Sequence, residues 1–100
     1  MQYSRAELEA ISNRISAGEK AKEFMSSAHW AWFNDYILGT LSDQAMATLK
    51  TAKEDSDRLR AQQMLIASSK PAELLSFIIE QGKASAQELE IAKQEDAGEQ

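Results

Sequence analysis

One hundred residues with 43% hydrophobic content make one small domain with room for a single core. The net charge of −5 weighs against general nucleic-acid affinity, which depends on lysines and arginines neutralising phosphates, and the absence of cysteine excludes disulfides and thiolate metal sites. One proline, four glycines and no valine leave almost no strand signal, so the composition predicts an all-α chain.

Ser4-Arg5-Ala6-Glu7 has the form of a capping box, in which the serine accepts from the backbone three residues on. Leu8, Ile11 and Ile15 come next at helical spacing and Gly18 offers a stop, which predicts a short first helix over 4–17. The pattern is helical again from Glu19 to Phe24, and Ser26-Ser27 either interrupts it or caps the next helix.

A long helix is predicted from about 28 to 50. Gly39 lies inside it, where glycine costs roughly 1 kcal/mol against alanine; close approach of another helix is the preferred reason, a break near Gly39-Thr40 the other. Thr51-Ala52-Lys53-Glu54 reads as a second capping box, with Glu54, Asp55 and Asp57 suited to a helix start, so the chain reverses between Leu49 and Lys53. A second long helix, 54–81, carries Pro71, which predicts a kink or break. Leu74, Leu75, Phe77, Ile78 and Ile79 are apolar around most of its circumference. Gly82 reads as a stop, Ser85-Ala86-Gln87-Glu88 as a third capping box opening a short helix over 86–93, and 95–100 as a disordered acidic tail. One helical domain, 1–94, results.

Five of the seven aromatics, Phe24, Trp30, Trp32, Phe33 and Tyr36, crowd around the only histidine, His29. On a regular helix, Trp30, Phe33, Ile37 and Leu41 share one stripe, while Met25, His29, Trp32 and Tyr36 share another. The first stripe, with Leu59, Ile66, Phe77 and Ile78, is the expected core. The second carries polar-tipped rings suited to a half-wet contact surface, and with Leu75 and Ile79 it is the expected protein interface.

Chemistry is sparse. His29 and Asp35 lie six apart, on opposite faces of a helix, and no second histidine or cysteine completes a metal site. Glu54, Asp55 and Asp57 lack the glycine and closing glutamate of a calcium loop, and Gly82-Lys83-Ala84-Ser85 lacks the upstream glycine of a phosphate loop. The Trp30/Trp32 pair has only Lys20 and Lys22 nearby, too little positive charge for a single-strand stacking platform. No catalytic residue, cofactor, metal or small-molecule substrate is expected. Residues 1–50 carry five basic and six acidic side chains and residues 51–100 six and ten, which suits solubility or a basic partner better than DNA. No apolar run approaches the ~20 residues of a membrane span, and no signal-peptide segment stands at the N-terminus.

The order Phe24, His29-Trp30, Trp32-Phe33, then Thr51 to Arg58, then Phe77-Ile78-Ile79-Glu80-Gln81-Gly82-Lys83 and Gln87-Glu88-Leu89-Glu90 resembles small helical-hairpin proteins encoded among the virion-assembly genes of tailed bacteriophages. The resemblance covers roughly residues 22–91; Pro71 departs from the pattern, and the helix before Gly18 is an addition to it. It implies an antiparallel hairpin of two long helices with short flanking helices. It also implies a non-enzymatic protein that contacts capsid, portal or other assembly proteins, in the virion or the host cytoplasm. Wide apolar faces on a two-helix hairpin need a cover, so a homo-oligomer or a larger partner is expected. A DNA-packaging accessory subunit and a small helical inhibitor of a host protein are the alternatives.

Overall fold

The computed structural model describes residues 3–98, with side chains through Glu95, and among these residues there is no strand. The chain is all-α. Its elements are α1 (Arg5–Met25), α2 (Ala28–Trp32), a π-helical segment (Phe33–Leu38), α3 (Gly39–Thr51) and α4 (Asp55–Gly98).

Two of the expected helix starts are made by the serines that the sequence singles out. The Glu7 amide donates to Ser4 Oγ at 3.1 Å, and the Trp30 amide donates to Ser27 Oγ at 3.1 Å. Ser27→Ala should therefore lower the unfolding free energy by about 1 kcal/mol, the usual worth of an N-cap hydroxyl, as read by urea titration of helical ellipticity.

The other expected boundaries are not there. Gly18 does not stop the first helix, which runs on to Met25. Thr51 caps nothing: it closes α3, and its hydroxyl donates back to the carbonyl of Ala47. The break between α3 and α4 falls at residues 52–54, and Asp55 and Asp57 occupy the first turn of α4. Pro71, Gly82 and Ser85 all lie inside α4, which also absorbs the predicted helix 86–93. Of the expected tail, 95–98 belong to α4, and 99–100 lie outside the described residues. Pro71 removes one amide donor from the helix ladder and frees the Ala67 carbonyl, but Ala67 is exposed, so water can take the donor's place.

The chain divides into two compact units, Met1–Glu23 with Leu75–Gln100, and Phe24–Leu74. In the first, the two glycines that read as stops face each other. A Cβ built on Gly18 would stand 3.0 Å from the Gly82 Cα and 3.2 Å from the Ile78 carbonyl oxygen. One built on Gly82 would stand 3.0 Å from both the Gly18 Cα and the Arg14 carbonyl oxygen. Backbone meets backbone here, and glycine is used for its missing side chain, not for helix termination. Around the crossing, Arg14 Nε donates to Ser85 Oγ at 2.8 Å, and the Tyr3 hydroxyl donates to Glu88 Oε1 at 2.9 Å. Partners thus run 3, 14, 18 against 88, 85, 82, in opposed order. The bond to Glu88 foremost, then desolvation and the charges of Glu88, Glu7 and Glu95, holds the Tyr3 phenol above its ordinary pKa of 10.0. A raised phenol means that this contact is fully made below pH 10 and is lost as pH rises through the higher folded value.

The least exposed side of α4 follows a heptad seam, flanked by half-buried Leu65, Ala72 and Ile79. Ala61, Met64, Ser68, Pro71, Leu75, Ile78, Gly82, Ser85, Leu89 and Ala92 alternate at spacings of three and four, and none of them is exposed. Its members are mostly small, and in the second unit Ala45 and Ala61 are both 0% exposed. Small residues let neighbouring backbones come close, so the protein gains its burial from proximity rather than from large side chains.

The π segment keeps a similar seam in phase along the other arm of the second unit. Trp30 and Leu38 are both buried but lie eight residues apart, one more than a heptad, whereas Leu38 and Ala45 are seven apart. A π turn closes i→i−5 bonds and takes up the surplus residue: the Gly39 amide reaches back to the Asn34 carbonyl. Gly39 itself makes no close crossing, because a Cβ there would meet only the Asn34 carbonyl oxygen, at an ordinary 3.8 Å.

Candidate protein-interaction face

The π turn decides which side chains reach the surface. On a regular helix Phe33, Ile37 and Leu41 would stand beneath Trp30 and share its burial. The wider turn carries Ile37 and Leu41 off that stripe; Phe33 (38%) and Ile37 (39%) are exposed while Leu41 is half-buried. This corrects the expected core: of its eight members only Trp30 is buried. Leu41 and Ile78 are half-buried, and Leu59, Ile66 and Phe77 on α4 are exposed along with Phe33 and Ile37. Leu59, Ile66 and Phe77 lie off the seam of α4, whose fully buried positions are the small residues Ala61, Gly82, Ser85 and Ala92.

Trp30 sits in a chain of rings, 5.6 Å from Phe24 and 6.2 Å from Phe33 between centroids. Outside it, Trp32 and Tyr36 stack nearly parallel, 5.7 Å apart at an interplanar angle of 11°. Both are open to solvent, at 59% and 63%. A shallow groove beside them is lined by Tyr36, Ile37, Thr40, Leu41 and Gln44. Helical phase gathers His29, Trp32, Phe33, Tyr36, Ile37, Thr40, Leu41, Gln44 and Thr48 onto one side.

That side carries no formal charge. Between Glu23 and Lys50 the only charged residues are Asp35 and Asp43, and phase places both more than about a quarter turn from the centre of the face. The described site is therefore apolar and aromatic with a hydroxyl and amide margin.

Of the six expected interface residues, His29, Trp32 and Tyr36 are exposed on this face, whereas Met25, Leu75 and Ile79 are half-buried. Leu75 and Ile79 belong to the other unit, as does a crevice lined by Ile15, Gly18, Glu19, Lys22, Ile79, Gly82, Lys83 and Ala86. Sequence periodicity alone leaves Phe33 and Ile37 out of the face. The eight-residue interval between Trp30 and Leu38 marks the break in phase, and it emerges only once both are seen to be buried.

Among the described residues no group of three or more His, Cys, Asp or Glu side chains is placed to hold a metal ion, and no helix is long and apolar enough to cross a membrane. No protein-family model matches the chain, and neither a curated protein nor a solved structure is detectably similar to it.

Proposed function

We propose that this is a non-enzymatic structural or assembly protein of a tailed-bacteriophage particle, an antiparallel helical hairpin that works by presenting helix surfaces to other proteins. The observation that carries the contact role is the uncharged aromatic face of the second unit, with Trp32 and Tyr36 stacked in solvent. Tryptophan and tyrosine are the residues that most often anchor protein interfaces, and here they are preorganised on one turn of helix. The short break at residues 52–54 between α3 and α4 supports the hairpin. The phage setting rests on the resemblance of residues 22–91 to hairpin proteins of virion-assembly genes.

On this reading the partner is the chain itself, or a larger capsid or portal protein, in the virion or the host cytoplasm. Quantitative mass spectrometry of purified particles and assembly intermediates is expected to find the chain at a constant copy number per particle. Its absence from every assembly stage would overturn the phage role.

A further inference from the structure

The interaction face of α2, the π segment and α3 has the area and the charge of a self-pairing surface. At about 150–250 Å² for a whole aromatic side chain, the exposed fractions of Trp32, Tyr36, Phe33 and Ile37 offer roughly 400 Å² of apolar surface. A stable dimer buries about 800 Å² per partner, of which about two-thirds is apolar in homodimers. The four side chains therefore supply most of the apolar share, and Leu41 with the Thr40, Gln44 and Thr48 margin extends it.

Charge selects among possible occupants. A chain of net charge −5 repels its own copy wherever charged surfaces meet. The one long stretch without lysine or arginine, 24–49, has by helical phase its two acids off the aromatic face, which is neutral with His29 uncharged. A basic partner would be met on the acidic surfaces, where attraction is available; a second copy can approach only where repulsion is absent. A two-fold axis through the face also sets the stacked Trp32–Tyr36 pair of one copy against the same pair of the other, which is the self-complementary arrangement an isologous contact requires.

We propose that the chain forms a two-fold homodimer through the Trp32, Phe33, Tyr36 and Ile37 face, and that this dimer is the unit that enters assembly. The proposal rests on the protein-contact role of that face and names its first partner. It assigns no contact role to Leu75 and Ile79.

Sedimentation of the full chain across a concentration series tests it. The wild type should pass from monomer to dimer as concentration rises, with little dependence on salt. Trp32→Glu and Tyr36→Glu should each weaken dimerisation about a hundredfold, as loss of an interface anchor does, while ellipticity and the urea midpoint stay near wild type. Phe77→Glu, an equally exposed aromatic in the other unit, should leave dimerisation unchanged. A wild type that stays monomeric at about 100 µM, weaker than the micromolar range of standard interfaces, overturns the proposal. So does a dimer that survives Trp32→Glu and Tyr36→Glu while Phe77→Glu dissolves it. Copy number in particles separates the two readings: a monomeric chain still present at fixed copy number removes the homodimer and leaves the assembly role standing.

Discussion

Gly82→Leu is expected to lower the unfolding free energy by about 3 kcal/mol, at the upper end of what forced overpacking costs. In an isolated helix the same change would be favourable by nearly 1 kcal/mol, so the sign of the result separates a helix-helix crossing from an ordinary helical position. The reason is that a Cβ at residue 82 meets backbone on two sides, the Gly18 Cα and the Arg14 carbonyl oxygen, each at 3.0 Å, and no flexible side chain can swing away. Gly82→Ala should show a smaller loss, about 1 kcal/mol, because the gain in helix propensity offsets part of the clash. Gly39→Ala is the opposite case, since its Cβ would stand 3.8 Å from its nearest neighbour, and it should raise stability by about 0.5–1 kcal/mol. Urea unfolding of the three variants checks all of this. A Gly82→Leu protein as stable as wild type would show that α1 and α4 do not depend on the crossing.

Trp30→Ala should cost about 3–5 kcal/mol, the usual penalty for truncating a buried tryptophan. Trp30 is 7% exposed, the one buried large aromatic among the described residues. Phe24 and Phe33 both contact its ring and would lose a neighbour at once. Trp32→Ala, two residues away and 59% exposed, should change monomer stability by no more than about 0.5 kcal/mol, as surface substitutions do. Each single-tryptophan protein, made by Trp→Phe at the other position, gives a second readout: emission from Trp30 should be blue-shifted, and emission from Trp32 should resemble tryptophan in water.

Helical class was legible because composition and capping serines act locally, and Ser4 and Ser27 need only their own helix to be read. The features that sequence did not reveal depend on tertiary packing. Gly18 and Gly82 carry the chemistry of helix termini, yet they lie mid-helix where each other's backbone occupies the space a side chain would need, and Ser85 there accepts from Arg14 Nε instead of capping. The core was misassigned for a related reason. Large apolar residues point to Leu59, Ile66 and Phe77, whereas the seam of α4 is kept by Ala61, Gly82, Ser85 and Ala92, too small or too polar to stand out in a hydrophobic pattern. Trp30 is buried as its stripe implies, whereas Ile37 is exposed because its side of the helix depends on the turn before it not being α-helical.

That turn gives the two sides of the arm different freedoms. Trp30 and Leu38 pin the inner side at both ends of the π segment, and the extra residue between them is expressed only outward. A one-residue deletion within 34–37 would bring the anchors Trp30 and Leu38 to heptad spacing, remove the need for the π turn and re-aim the residues between them around the helix axis. The chain can thus change what it displays to a neighbour by altering residue count rather than residue type.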